Sequence, residues 1–492
     1  MNLHDLFSIS LRRSPGKTVL RLGGGRDLSY AELFGAADRL AAGLRARGLS
    51  HGDRVAFFLG NGVEFVTAYL AVIRLGAVMV PLNLAYRRRE IAHILGDAEP
   101  RLFLTDRERL PVLDELEPGE RPAEVILAED LDGLSGEETG FPPVDGDDLA
   151  MILYTSGTTG RSKGAMITHG NVLATVTGLL AAWDWQAEDV LLLTLPLFHT
   201  HGLVVGLHCA LAAGATVLLR RKFDAAEAAA ELLGGEPTLF FGVPTMYVRL
   251  VEELRGKPDA GALRRLRLFC SGSAPLAPET FEAFRGLTGH GILERYGMTE
   301  TGMSLSNAYA GLRLPGTVGT PLPGVSARIV DADDRDLPPG GEGELLVRGS
   351  HVFAGYWRDP EKTAASFTHD DLGRRWFRTG DLARRDPETG SITLLGRRHE
   401  LILRGGFNIY PREVEEVLAS YPGVKEAAVV GRPDPDLGQV PVAFLVVEGP
   451  LDESALTAFC RDQMAAFKVP REIRTVESLP RNALGKVQKH LL

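Results

Sequence analysis

The stretch Tyr154-Thr155-Ser156-Gly157-Thr158-Thr159-Gly160-Arg161-Ser162-Lys163-Gly164 has the residue types and spacing to hold an anion. Its three glycines permit tight backbone turns, so successive N–H groups can converge on one point. Serine and threonine hydroxyls add donors, and Lys163 adds a positive charge near the end. The order GxxxxGK[ST] of a Walker A loop is missing, so the expectation is a phosphate loop of another kind. A second group, His199-Thr200-His201, has the donors for a metal, but no third ligand lies nearby in sequence. Arg249 is a third position of interest. On a helix starting at Pro244 the apolar stripe is Tyr247, Leu250, Val251 and Leu254, so Arg249 points off it and could pair with Glu253 one turn on.

A phosphate loop needs rigid flanks, and the apolar run 149–154 predicts a strand leading into it. Strand-like and helix-like patterns alternate from the start, which reads as α/β. Ser29 and Glu32 form a capping box that opens a helix through Leu33, Leu40 and Leu44, ending at Gly48. A strand over 54–59, a helix through Phe65, Tyr69 and Val72, and a strand over 78–81 follow. The Glu-, Pro- and Gly-rich stretch 115–148 reads as surface chain. After Gly316, frequent Pro-Gly and Gly-Gly turns separate strands over 326–330, 343–347 and 392–395, a β-rich subdomain. A compact pattern closes the chain: helix 412–419, strands 424–430 and 440–447, helix 453–464. The fold class is therefore α/β, with a large N-terminal domain over 1–396 and a small α+β C-terminal domain over 397–492.

Length and composition narrow the function classes. A chain of 492 residues suggests roughly two or three domains. A formal charge of −10 argues against a nucleic-acid partner held by phosphate contacts. Cys209, Cys270 and Cys460 are far apart and form no CxxC pair, so neither a disulfide framework nor a zinc site is expected. The first ten residues lack the pattern of a secretory signal, and a cytoplasmic location is expected. From 190 to 219 there is no Asp, Glu, Lys or Arg. Pro196, three glycines and three histidines interrupt that run, so a buried strand, loop, helix and second strand fit better than a membrane span.

The loop around Lys163 resembles the phosphate loop of the adenylate-forming superfamily: acyl-CoA synthetases, peptide-synthetase adenylation domains and firefly luciferase. The likeness continues in order through Glu294-Arg295-Tyr296-Gly297-Met298-Thr299-Glu300-Thr301, Arg378-Thr379-Gly380-Asp381, Gly396-Arg397, and Pro480-Arg481-Asn482-Ala483-Leu484-Gly485-Lys486. It implies ATP and CoA as substrates, with Mg²⁺ held by Glu300 and by Thr155, since a hard cation prefers oxygen ligands. Thr155, Ser156, Gly157, Thr158, Thr159, Gly160 and Lys163 would hold the phosphates. Tyr296 would stack on adenine beside Glu294, Arg295, Gly297 and Thr299, and Asp381 would accept both ribose hydroxyls. Ser271-Gly272-Ser273-Ala274-Pro275 would line the adenine pocket, with Ser271 and Gly272 toward the acid.

The resemblance also implies that Lys486 stabilises charge on the α-phosphate during adenylation. A mobile C-terminal domain then rotates at the hinge beside Arg397 and presents another face, around Gly405 and Gly406, to CoA. Relatives usually carry Asp or Lys where this chain has His399, so the hinge could respond to pH.

Within the superfamily, the runs from His199 to Leu203, Phe241 to Tyr247, Glu294 to Thr301 with Met303, and Gly485 to Lys489 resemble malonyl-CoA synthetases. His199 takes the place of an aromatic gate beside the acyl pocket. A second carboxylate would be costly to bury unpaired, so a cation should meet it. Arg249 matches the family's candidate, with His201 as a weaker one; the solvated pairing of Arg249 with Glu253 stays open. The alternatives are a short-chain or aromatic monocarboxylate ligase, or a stand-alone protein that loads a carrier. A monomer or homodimer is expected.

Overall fold

The computed structural model describes the chain except residues 24–26, 137–139, 156–161, 258, 406 and 482–485. Two compact units share it. One comprises Met1–Pro315, Pro321–Ser326 and Arg348–Arg375; the other comprises Gly316–Thr320, Ala327–Val347 and Trp376–Leu492.

Short apolar runs without alternation dominate the first unit, and they form parallel strands covered on both faces. In one sheet Leu293–Tyr296, Leu268–Ser271, Leu239–Gly242, Val190–Leu193, Thr216–Leu219 and Thr18–Leu22 lie side by side, all parallel. The other is seven-stranded, in the order Gly355–Tyr356, Lys163–Thr168, Leu149–Thr155, Val78–Pro81, Arg54–Phe58, Leu102–Thr105 and Val125–Leu127. The last strand lies within the stretch read as surface chain. Its Ile126 is buried at the sheet edge, so that stretch contributes to the core as well. The helix Tyr30–Ala46 starts at the Ser29–Glu32 capping box and buries Leu33, Leu40 and Leu44.

The charge-free run resolves into the strand Val190–Leu193, a π-helix His201–His208 continuing into the helix Cys209–Ala213, and the strand Thr216–Leu219. Among the described residues no helix is long and apolar enough to cross a membrane.

In the second unit Glu342–Arg348, Arg375–Arg385 and Ile392–Arg397 pair antiparallel. Beyond Arg397 a five-stranded sheet is built on the long antiparallel pair Val424–Asp434 and Gly438–Val447. The helices Pro411–Ala419 and Glu453–Gln463 cover one face through Val414, Leu418, Leu456 and Cys460. On the other face Ala428, Val442, Phe444 and Leu479 form a small core, with Val487 and Leu492 of the C-terminal tail packed against it.

Candidate active site

The strands Leu149–Thr155 and Lys163–Thr168 pair antiparallel, and Thr155 faces Lys163 at the end next to the connecting residues. The connecting residues Ser156, Gly157, Thr158, Thr159 and Gly160 lie outside the described residues. Lys163 lies 3.5 Å from the Asp359 carboxylate and over the ring of Tyr356, 5.9 Å from its centroid. The Tyr356 hydroxyl donates to Glu300 Oε1 at 3.0 Å. Burial, and then the Glu300 carboxylate, raise the phenol's pKa, so it stays a proton donor. Glu300 is itself buried in the short turn Thr299–Thr301, and its carbonyl accepts from the Phe353 amide at 2.8 Å. Sequence reasoning missed Tyr356. Nothing in Gly355-Tyr356-Trp357 distinguishes it; only the pairing of Gly355–Tyr356 with Ala165 and Met166 brings it to Lys163.

Glu300 and Thr155 offer the hard oxygen donors that Mg²⁺ prefers, so the residues present fit such an ion. No group of three or more His, Cys, Asp or Glu among the described residues could hold a metal.

A second set of predicted residues meets at the ends of the first sheet. Glu294, Arg295 and Tyr296 are buried on the strand Leu293–Tyr296, which pairs with Leu268–Ser271. Gly297 is required where it stands, because a Cβ there would lie 1.9 Å from the Gly302 carbonyl and crowd the Met303 side chain. Gly272 is required for a chemical reason: a Cβ would fall 2.3 Å from Cζ of Arg295, so the guanidinium lies directly on the Gly272 backbone. Arg295 Nε and Nη2 have no hydrogen-bond partner, nor do the buried Ser271 Oγ and His201 Nε2. His201 Nδ1 lies 3.3 Å from Ser273 Oγ. Its pKa is pushed well down by burial, then by Arg295 and His199. His199 retains some solvent access, but burial takes its pKa to about 4, so the imidazole is neutral near pH 7. Ser273 adopts a φ of 71°, Ala274 is partly exposed and Pro275 is exposed.

Arg249 does not join this group. The helix Pro244–Leu254 buries Tyr247, Leu250, Val251 and Leu254, and Arg249 is exposed beside Val248. This exposure favours the solvated reading of Arg249 over the one in which it meets the acid, although among the described residues it forms no ion pair with Glu253. Helical periodicity is in keeping with this, since a residue off a filled stripe points to water.

In the second unit Asp381 is buried, and its Oδ1 lies 2.9 Å from Nε of Arg397 on the paired strand. Arg397 also donates to the Thr379 carbonyl at 3.2 Å. Desolvation and then Arg397 depress the pKa of Lys486, while Asp381 and Glu400 oppose the shift. Three predicted residues, Asp381, Arg397 and Lys486, thus share one neighbourhood. His399 sits in the turn Arg398–Glu400, about half exposed, with its pKa lowered chiefly by burial. Gly405, at a φ of 56°, turns the chain between Ile402–Arg404 and Phe407–Ile409; Gly406 lies outside the described residues.

The profile of the AMP-binding enzyme family matches residues 7–357, and that of the AMP-binding enzyme C-terminal domain matches residues 413–486. The chain belongs to the AMP-binding enzyme family. It is 37% identical to the mitochondrial malonate–CoA ligase ACSF3 of Mus musculus, over 94% of this chain and 85% of that one. It is 36% identical to the indoleacetate–CoA ligase of Aromatoleum aromaticum, over 99% of this chain and 97% of the relative. The crystal structure of ATP-bound MatB from Rhodopseudomonas palustris superposes with a TM-score of 0.92 at 40% identity, covering 100% of this chain and 98% of that one. The protein is an AMP-forming acyl-CoA synthetase, with ATP, CoA and a carboxylic acid as its substrates.

Proposed function

We propose that this synthetase activates a small dicarboxylic acid, malonate or methylmalonate, and transfers it to CoA. The observation that carries the reading is the buried guanidinium of Arg295, with Nε and Nη2 unpartnered beside the unpartnered His201 Nε2 and Ser271 Oγ. A guanidinium stays charged even when buried, and out of water it needs an anion. A carboxylate accepts two parallel bonds from such a fork. Where Ser273 donates to Nδ1 of the neutral His201, Nε2 carries the proton and adds a further donor. Two donor groups and a hydroxyl then converge on one charged end of the acid, and the other carboxylate is the nucleophile.

That nucleophile attacks the α-phosphorus of ATP, forming the mixed anhydride and releasing pyrophosphate. Lys163 and the Tyr356–Glu300 pair are assigned to the phosphates. Glu300 and Thr155 would hold Mg²⁺, which neutralises phosphate charge when bound. Asp381, fixed by Arg397, takes the ribose hydroxyls, and Lys486 stabilises the charge growing on the α-phosphate. Residues 397–492 are read as the mobile domain, supported by the separate core around Val414, Leu418 and Leu445. After rotation the face around Gly405 and Gly406 receives CoA, whose thiolate attacks the acyl carbon and expels AMP.

Substituting the cation tests the reading. Arg295→Met keeps the volume and removes the charge. The loss of kcat/KM for malonate is expected to be about a hundredfold or more, roughly 3 kcal/mol, the scale of breaking a buried charge pair. With butyrate the change should stay within about tenfold, since no second carboxylate is unpaired. Equal losses with both acids would mean that Arg295 only supports the fold.

A further inference from the structure

A cation that serves one chemical step must be held in place, yet Lys486 lies outside any helix or strand. Something must hold the tail. Three residues on, Lys489 is largely buried, its ammonium 2.7 Å from Glu415 Oε1 and 3.2 Å from Glu400 Oε2. Glu415 belongs to the helix Pro411–Ala419, and its Oε1 also accepts the Val429 amide at 2.7 Å, so it is tied to the central sheet. Glu400 ends the turn Arg398–Glu400, next to the hinge residue His399. On either side of Lys489 the tail is fastened by apolar packing of Val487 and Leu492 against the sheet, and Gln488 donates to the Pro480 carbonyl at 2.8 Å. The two carboxylates together raise the Lys489 pKa against desolvation, the largest single influence, so the ammonium persists in this largely buried place. Pairs of this kind are screened by salt less than surface ones.

We infer that Lys489 is a positioning residue for adenylation, clamping the tail that bears Lys486 to both the hinge turn and the helix Pro411–Ala419. Three residues span at most about 10 Å of chain, so freeing Lys489 lets the Lys486 ammonium drift by ångströms. Misplacement of about 1 Å can cost roughly a hundredfold in rate. All of the clamp's members lie beyond the hinge, so they travel together, and Lys486 arrives at its target already oriented. The thiol-transfer step makes no use of Lys486 and should not notice the clamp. The inference rests on the reading of Lys486 as the adenylation lysine.

The test measures ATP–pyrophosphate exchange and thiolysis of supplied acyl-adenylate separately in Lys489→Met, Lys489→Arg and Glu415→Gln of the full chain. Glu415→Gln keeps an acceptor for the Val429 amide and guards against a folding defect. Lys489→Met and Glu415→Gln are expected to lower kcat for exchange roughly ten- to hundredfold with little change in KM for the acid. Lys489→Arg should restore most of it, and thiolysis should be unchanged throughout. In a Lys486→Ala background, Lys489→Met should cost nothing further, because the clamp acts through Lys486. Equal losses in both half-reactions, no loss in exchange, or a further multiplicative loss in that background would each overturn the inference. Normal exchange by Lys486→Ala alone would instead remove the reading on which it rests.

Discussion

At the scale of single residues, two arginines divide the question of the acid between them. Arg295 is buried with two nitrogens unpartnered, whereas Arg249 is exposed on the far side of a filled apolar stripe. Arg249→Ala is therefore expected to change KM for malonate less than about twofold and stability by less than about 0.5 kcal/mol, as surface substitutions usually do. A tenfold rise in KM would return Arg249 to the pocket. The periodicity around Arg249 already pointed to solvent, and the family likeness drew attention away from it. Arg295 stood inside a motif read for adenine, and nothing in its spacing shows that its side chain lies on Gly272 beside His201. That juxtaposition joins strands far apart in sequence and becomes visible only in three dimensions.

At the scale of elements, the hairpin and the turn Arg398–Glu400, proposed as the hinge, are set by local chemistry. Thr155 and Lys163 face each other because the strands Leu149–Thr155 and Lys163–Thr168 pair antiparallel, and the first of these strands was expected from its apolar run. The π-helix at His201–His208 had no sequence signature, since a wider turn uses the same apolar residues as an ordinary one. At the hinge, the residue type alone suggested a pH switch. Burial lowers the His399 pKa from its ordinary value, with Arg397 and Lys486 adding to the shift and Glu400 and Asp381 opposing it. A lowered pKa favours the neutral imidazole over the charged one at neutral and mildly alkaline pH, about 6.5–8. The ratio of thiol transfer to adenylation should accordingly stay flat across that range. A ratio that changes with a midpoint near pH 7 would show that the hinge does carry a titrating switch.

At the scale of the whole molecule, buried histidines link stability to pH. Burial depresses His4, His169, His199 and His351 to about 4 and His208 to about 3. Each is neutral when folded but takes up a proton on unfolding once the pH drops below about 6.5. The unfolded state thus binds more protons, and stability should fall as pH falls from about 6.5 toward 4. A thermal midpoint that declines steeply over that interval and levels off above it is expected; a flat profile would contradict the neutral buried histidines. The α/β class, the capping box at Ser29 and the small C-terminal fold were all legible from local pattern. How the β-rich segments share one compact unit with the tail was not, because that depends on contacts between distant segments.

The central claim is that the acid activated carries a second carboxylate. ATP–pyrophosphate exchange by the wild-type protein over malonate, methylmalonate, acetate and butyrate tests it most directly. Malonate or methylmalonate is expected to exceed both monocarboxylates in kcat/KM by about a hundredfold, since without a second anion the Arg295 guanidinium stays unpaired. Equal or faster exchange with acetate or butyrate would contradict it.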